Sequence, residues 1–548
     1  MSDSIAPHRR VEAQSVLAST LVDDVVKAGP SKTIFQSEKQ HKSLLGLNVA
    51  TPNSHAGTDA AFAAKIQLLN QALLDIGMGK YQWLIFLMTG MGWFLVSFWI
   101  MSFIIIAPSA GNEAQFFFAG NNTDYLFVSL FVGLTVGGTV WPLMSDTLGR
   151  KQMFTSTVLL MGIGGLVGAG MPSFTGLCVV GAVVGFAVAG NQAVDVMTLL
   201  ESIPASHQFL VALQGVFWGL GQLVASAVGW AFIALYTCGT GPDECIIIQQ
   251  QQLFLPLRQQ QGMALRMVDL RMHHFVPVSL SFVLSFYETP KFLPARRRDA
   301  EATQLVKDIA LYNGRQTWLT EASFTRVDST IEASEEELRT KFRLQSLLAS
   351  LGIIGMVSLV LLWIAMGLNF ILYQTYISNY LAVHGVGKVN ATTVTRGYLY
   401  SRYLYTALCA IPGPIVASFL VEAKGVGRKR TGAGIAVLTG LFMLVSAASR
   451  SRNAALAFEC IVSFLHYAGL ATLTLYTVEI VPTPTRGFSL GVMGFFWGLF
   501  GLIGHIITTF ESTIISNGAP VWFSGALWIV LVCAWLGLPM ETQARAAA

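Results

Sequence analysis

Apolar residues in this chain gather in long unbroken runs, unlike the 3.6-residue stripe of an amphipathic helix or the alternation of a half-buried strand. From Trp83 onward twelve such runs fall near 84–107, 125–144, 153–171, 176–198, 209–236, 275–287, 349–373, 398–421, 432–448, 455–477, 488–510 and 520–538. Eleven reach the roughly 17–25 residues that a helix rising about 1.5 Å per residue needs to cross about 30 Å of hydrocarbon. The sixth, Phe275 to Tyr287, has about 13 residues, nearer to an interfacial or re-entrant segment. It follows the Gln-rich stretch Gln249 to Gln261 and the charged residues Arg266, Asp269 and Arg271, all poor membrane material. Either a true insertion shortens this run or the stretch has been altered; the pattern alone does not choose.

Composition agrees with the runs. Of 548 residues, 53% are hydrophobic and 12% charged, against roughly 25% charged in an average soluble protein. A soluble enzyme is excluded, and the expected class is an all-α membrane protein that is not an enzyme. The net charge of +4 is too slight for nucleic acid binding, and six scattered cysteines define neither a metal cluster nor a disulfide framework. There is no Gly-x-x-x-x-Gly-Lys-Ser/Thr phosphate loop, so neither ATP nor another cofactor is expected.

The position of the basic residues sets the orientation. Arg150 and Lys151 lie between runs two and three; Lys424, Arg428, Lys429 and Arg430 lie between eight and nine; Lys291 and Arg296 to Arg298 open the long central segment. If every run spans, all are on one side, which predicts cytosolic termini. The expected organisation is a cytosolic, partly disordered tail over 1–80 without a signal peptide, then a six-helix bundle over 81–290. A cytosolic loop of amphipathic helices over 291–346, a second bundle over 347–540 and a short tail over 541–548 follow. The sequons at Asn121 and Asn390 fall on the outer side. Cys238 and Cys245, also outer, are as easily a free pair as a local disulfide. Arg258, Arg266 and Arg271 oppose this orientation.

An offset of 278 residues carries further information. Gly149-Arg150-Lys151 recurs as Gly427-Arg428-Lys429, and Glu201-x-x-Pro204 recurs as Glu479-x-x-Pro482. One residue later in register, Phe217-Trp218-Gly219-Leu220 recurs as Phe496-Trp497-Gly498-Leu499. Each match joins corresponding runs. The repeat is therefore parallel, with two six-helix halves related by an axis along the membrane normal and the sixth run spanning.

These residues also resemble a known family. Asp146-Thr-Leu-Gly149-Arg150-Lys151 is similar to the D-x-x-G-R-K signature of the major facilitator superfamily, with Pro142 in place of the glycine usual four residues before the aspartate. Glu201-x-x-Pro204, Tyr287-Glu288-Thr289-Pro290-Lys291, Glu479-x-x-Pro482 with Arg486-Gly487, and Pro539-x-Glu541-Thr542 resemble sugar-porter-like signatures. Ile76 to Trp83, Gly190-Asn191-x-x-Val194-Asp195 and Ile411-Pro412-Gly413-Pro414 resemble the fungal-type branch related to synaptic-vesicle glycoprotein 2 and metabolite:proton symporters. The resemblance covers about residues 70 to 545. It implies the major facilitator fold of twelve transmembrane helices in two parallel six-helix repeats, a small-molecule substrate, proton coupling, and a monomer in the lipid bilayer, at the plasma membrane. Members of this branch usually carry an aspartate in the first span where this chain has Val96, and the hexose-porter sequences of spans seven and ten are absent.

Ionisable groups inside spans are costly and are the first mechanistic candidates. Asp195 reads equally as a proton carrier or as an ion pair with the Arg150 side of a gate. Arg402 could meet an anionic substrate group or an acid of the opposite bundle. Glu459 and His466, seven residues apart, share a helix face, and a histidine is suited to proton relay; a hydrogen-bonded structural role is the commoner fate of His466 and of His505. Asn191, Gln192, Gln222, Asn369, Tyr373 and Gln374 could orient a polar solute, although any one of them more often bonds helix to helix. Asp146, Arg150, Glu201, Arg428, Glu479 and Arg486 are expected to latch an inner gate, because the repeat sets like charges in both halves.

The expected function is secondary active transport of a sugar-like or carboxylate metabolite by alternating access. Efflux of a secondary metabolite is the alternative. A non-transporting receptor of the same fold is the reading from another class, set back because about ten residues follow the twelfth run and sensors of this kind tend to carry a long cytosolic extension.

Overall fold

The computed structural model describes residues 60–117, 124–171, 173–236, 288–331, 343–383, 396–449, 451–510 and 519–542. Every regular element among them is helical. The first helix, α1 (Ala60–Ile76), precedes the apolar runs. The first five runs are α2 (Lys80–Phe117), α3 (Asp124–Leu148), α4 (Arg150–Ala169), α5 (Phe174–Ser202) and α6 (Gly215–Tyr236). The central segment contains α7 (Asp299–Tyr312) and α8 (Glu321–Ile331). Runs seven to ten are α9 (Arg343–Val383), the pair α10 (Arg396–Ala410) and α11 (Pro412–Glu422), α12 (Gly427–Ala447) and α13 (Arg452–Ile480). The last two are α14 (Thr483–Phe510) and the pair α15 (Ala519–Val530) and α16 (Val532–Gly537). The sixth run, the Gln-rich stretch, Cys238, Cys245, Asn121 and Asn390 lie outside the described residues.

Nine helices among the described residues are long and apolar enough to cross a membrane. The two runs that fall short, α4 and α12, start with Arg-Lys and Gly-Arg-Lys-Arg and are rich in glycine and threonine. Run eight breaks before Pro412, whose ring lacks the N–H that would continue the helix.

Packing follows the internal repeat. In the first half α5 touches α2, α3 and α4; in the second α13 touches α9, α10, α11 and α12. The pair α2–α6 has its counterpart in α9–α14. The halves meet along α3 against α14 and along α6 against α10, two contacts that the two-fold relation exchanges. In lipid, helices are held by close backbone approach rather than by the hydrophobic effect. A side chain at Gly185 would drive into the Leu130 carbonyl of α3, and one at Gly413 into the Phe464 carbonyl of α13.

The last part of the tail expected over 1–80 is α1, docked on the central segment. Lys65 reaches Asp299 at 2.6 Å and Asp328 at 2.7 Å. Trp318 Nε1 donates to Asp75 (2.8 Å), while Asn313 accepts from the Tyr81 N–H (3.0 Å) and donates to Gln82 (2.8 Å). The apolar faces of α1, α7 and α8 close around Phe324, Val306 and Leu69. Local pattern did not disclose this because α1 buries its face only against a segment some 230 residues away.

The glycine contacts set a test. Gly185→Leu should destabilise the protein by about 3 kcal/mol or more through overpacking. Gly434→Ala, where an added Cβ meets nothing within 4 Å, should leave the melting temperature unchanged or slightly higher. Thermal melts followed by size-exclusion in detergent check both, and equal behaviour of the two variants would contradict this packing.

Candidate functional site

Charged residues concentrate at the end of the bundle carrying the Gly-Arg-Lys turns. Both turns use a glycine at positive φ, 104° at Gly149 and 70° at Gly427. Each glycine also leaves room for an acid, Glu288 or Glu541, that a Cβ would strike. Glu288 accepts from the Arg150 N–H at 2.9 Å and the Thr289 N–H at 3.1 Å. Glu541 accepts from the Arg428 N–H at 2.8 Å and the Thr542 N–H at 3.1 Å.

The side chains repeat the pattern. Arg150 Nη2 lies 3.1 Å from Glu201 Oε1, and Thr289 Oγ1 donates to Glu201 Oε2 at 2.5 Å. Arg428 Nη2 lies 3.0 Å from Glu479 Oε1, and Thr542 Oγ1 donates to Glu479 Oε2 at 2.5 Å. In each half a buried carboxylate thus joins the start of one helix, the end of another and a threonine after the half's last run. Glu288, Thr289, Glu541 and Thr542 were visible in the sequence as motif members, but nothing in it tied them to the turns.

The first-half cluster crosses to the other half. Arg486 of α14 donates to Glu201 Oε1 at 2.9 Å, both side chains being fully buried. Its remaining N–H groups bond the Val478 and Val481 carbonyls (3.2 and 3.1 Å) at the end of α13, so its fork is held facing Glu201. Asp146 of α3 accepts from the Gly487 and Phe488 N–H groups (3.1 and 3.0 Å). The 278-residue offset puts Lys424 opposite Asp146 and Gln208 opposite Arg486. Of the charges expected to latch both halves alike, Arg486 and Glu201 pair across the halves, whereas Arg428 pairs with Glu479 and Glu422 of the second half.

Lys291, just beyond the sixth run, is buried beside this cluster. Burial, with the Arg486 guanidinium nearby, pushes its ammonium down to about 7, while Glu201 acts the other way.

The remaining candidates lie deeper. Asp195 Oδ2 accepts from Asn191 Nδ2 at 2.7 Å, and Asn191 Oδ1 accepts from Thr157 at 2.8 Å. Asp195 Oδ1 is buried with no hydrogen-bond partner, and among the described residues Asp195 makes no ion pair. The reading of Asp195 as a partner of Arg150 is thereby corrected: that guanidinium meets Glu201, Asp146 and the Ser145 carbonyl instead. Asp195 faces α2 at Gly92, one turn before Val96. Asp195 thus lies at nearly the same level as Val96, from α5 rather than α2.

Arg402 pairs with Glu459, an acid of its own half rather than of the opposite one. His466 packs edge-on against Tyr467. Tyr467 OH accepts from Gln222 Nε2 at 2.6 Å, a bond between the halves. His505 rests on Phe127 and Phe131, with ring centroids 5.2 and 4.6 Å away. Gln374 lies on α9, its side chain outside the described residues.

Between the halves is a cavity of about 40 Å³, lined by Gln192, Ala193 and Val196 of α5, Trp363 of α9, Thr474 of α13 and Leu490, Met493 and Trp497 of α14, with Gly138 of α3 and Gly494 at its edge. That is space for about three water molecules. Gln192 was visible among the polar span residues; Trp363, Thr474 and Trp497 were not distinguishable from core.

A family model described as "Sugar (and other) transporter" matches residues 87–545. The chain belongs to that family. The transporter is 32% identical over 507 residues to the MFS siderochrome iron transporter 1 of Ceriporiopsis subvermispora, covering 90% of this chain and 93% of that one. It is 30% identical to the major facilitator-type transporter hxnZ of Emericella nidulans (90% and 89% covered) and 22% identical to the synaptic vesicle 2-related protein of Xenopus laevis (95% and 88%). Among solved structures it resembles the proton:xylose symporter XylE bound to 6-bromo-6-deoxy-D-glucose, with a TM-score of 0.63, 16% identity and coverage of 85% and 98%. The human organic anion transporter MFSD10 matches at 0.54, with 15% identity and coverage of 83% and 99%. The fold is the twelve-helix major facilitator fold, and the transporter is an integral multi-pass membrane protein of sugar-porter type.

Two outcomes are expected at the gate. Arg486→Ala leaves Glu201 a buried charge short of one partner, a change worth about 3–5 kcal/mol in such pairs. In a cysteine-free background, thiol labelling of Ser489→Cys, buried at this end, should then accelerate at least about tenfold. Because burial in this cluster holds Lys291 below its ordinary range, the assembled cluster binds fewer protons and gains stability as pH rises above about 7. Labelling, normalised to an exposed thiol, should slow between about pH 7 and 9, and Lys291→Met should remove the dependence.

Proposed function

We propose that this transporter moves a small organic solute through the cavity between its halves by alternating access, coupled to protons at Asp195. The observation that carries the coupling is Asp195 itself: a fully buried carboxyl, bonded to Asn191 alone, on the helix whose Gln192 lines the cavity. A charge buried without a counter-cation is costly, so a proton arriving with the solute and leaving on the far side offers Asp195 a neutral state for each crossing. The charged crossing of Arg486 and Asp146 supports the second element of the cycle, a barrier at the basic end that separates when the halves rock. On the orientation read from the basic residues that end is cytosolic, and the cavity is then shut off from the cytosol.

The relatives are named for siderochromes, for xylose and for organic anions, a breadth that fits one carrier scaffold with a variable cavity. The Arg402–Glu459 pair is read as structural, since each charge is met by the other inside the second half.

Flux in proteoliposomes under an imposed proton gradient tests the proposal. Asp195→Asn should abolish proton-driven accumulation while leaving protein yield and solute exchange at equal pH intact; accumulation that still follows the gradient would remove Asp195 from the mechanism.

A further inference from the structure

The cavity wall also speaks to the class of solute, an inference that rests on the reading of this cavity as the transport site. Two indoles, Trp363 and Trp497, face it from different helices with Leu490 and Met493, and its polar groups are few. Gln192 offers an amide. Thr474 offers a hydroxyl that is buried, only 3% exposed, and without a hydrogen-bond partner. Trp363 Nε1 is already committed to Thr477 at 3.0 Å.

Among the described residues lining the cavity there is no Asp, Glu, Lys, Arg or His. Asp195, nearest along α5, turns to Asn191 and Gly92 instead, and Arg402 is engaged by Glu459. A carboxylate here would be a buried anion with no cation to meet it. A hexose would bring several hydroxyls to a wall with two side-chain partners and leave the others unsatisfied. A flat ring, in contrast, stacks on indole faces and needs only one or two polar groups for orientation.

We infer that the transporter selects an uncharged, planar ring compound carrying one or two hydrogen-bonding groups, the ring held between Trp363 and Trp497 and the polar group met by Gln192 and Thr474 once the halves part and widen the cavity, whose present volume of about 40 Å³ admits only water.

Benzamide, benzoate and benzamidinium share one planar shape and differ in charge, and glucose supplies the polyol. Binding of tritiated benzamide to the purified full-length transporter should be saturable, with benzoate and benzamidinium at least about tenfold weaker as competitors and glucose without effect. Thr474→Val should weaken benzamide about fivefold, the loss of one hydrogen bond, at unchanged melting temperature. Absence of saturable benzamide binding, or competition by glucose or either charged analogue equal to that of benzamide, overturns the inferred class. The site is tested separately by Gln192→Leu, which removes the amide from the cavity wall, and by Trp497→Leu, which removes one indole. Benzamide binding unchanged in these variants would show that the ring is held elsewhere, so the cavity reading would fail independently of charge preference.

Discussion

A carboxylate taken out of water must have its charge and lone pairs met by groups that cannot drift away, and Glu201 concentrates that demand. Oε1 takes Arg150 from α4 and Arg486 from α14, while Oε2 takes Thr289 from the segment after the sixth run. Three stretches of chain that are far apart in sequence thus depend on one side chain. Arg150 is fixed further by Ser145 and Asp146, and Arg486 by the carbonyls that end α13. Displacing any member leaves another charge buried and short of a partner, so the cluster is best described as formed or broken as a unit.

In the second half Glu479, Arg428, Thr542 and Glu541 tie their own helices together by the same construction. Under the proposed cycle these intra-half contacts keep each bundle rigid, and the Arg486–Glu201 pair, helped by Asp146 at the start of α14, holds the basic end shut. Lys291 beside it adds a group whose protonation favours release.

The membrane interior is organised by a different constraint. Lipid offers backbone groups nothing to bond, so the spans remain helical and approach one another through glycine, as Gly185 and Gly413 do. At Gly92 the small residue has a second consequence, admitting the Asp195 carboxyl against α2. The cavity just beyond it is apolar and aromatic, so under the proposed cycle one face of α5 separates the proton from the solute.

The sequence alone determined the places of the apolar runs that form the described helices, the parallel repeat and which charged residues gather at the basic end. Each depends on long uniform runs or on charges at fixed spacing, and such features survive without knowledge of neighbours. Tertiary structure decided what each charge meets. Arg402 and Glu459, 57 residues apart, are partners; Asp195 and Arg150 are not; and Arg486 crosses the interface where its repeat mate Gln208 has no charge to do so. It also decided which of many tryptophans and threonines face the cavity and that α1 docks on the central segment. Pairings of this kind depend on which helix faces come together, and a hydrophobic run that is apolar on all sides carries no record of the face it will turn inward.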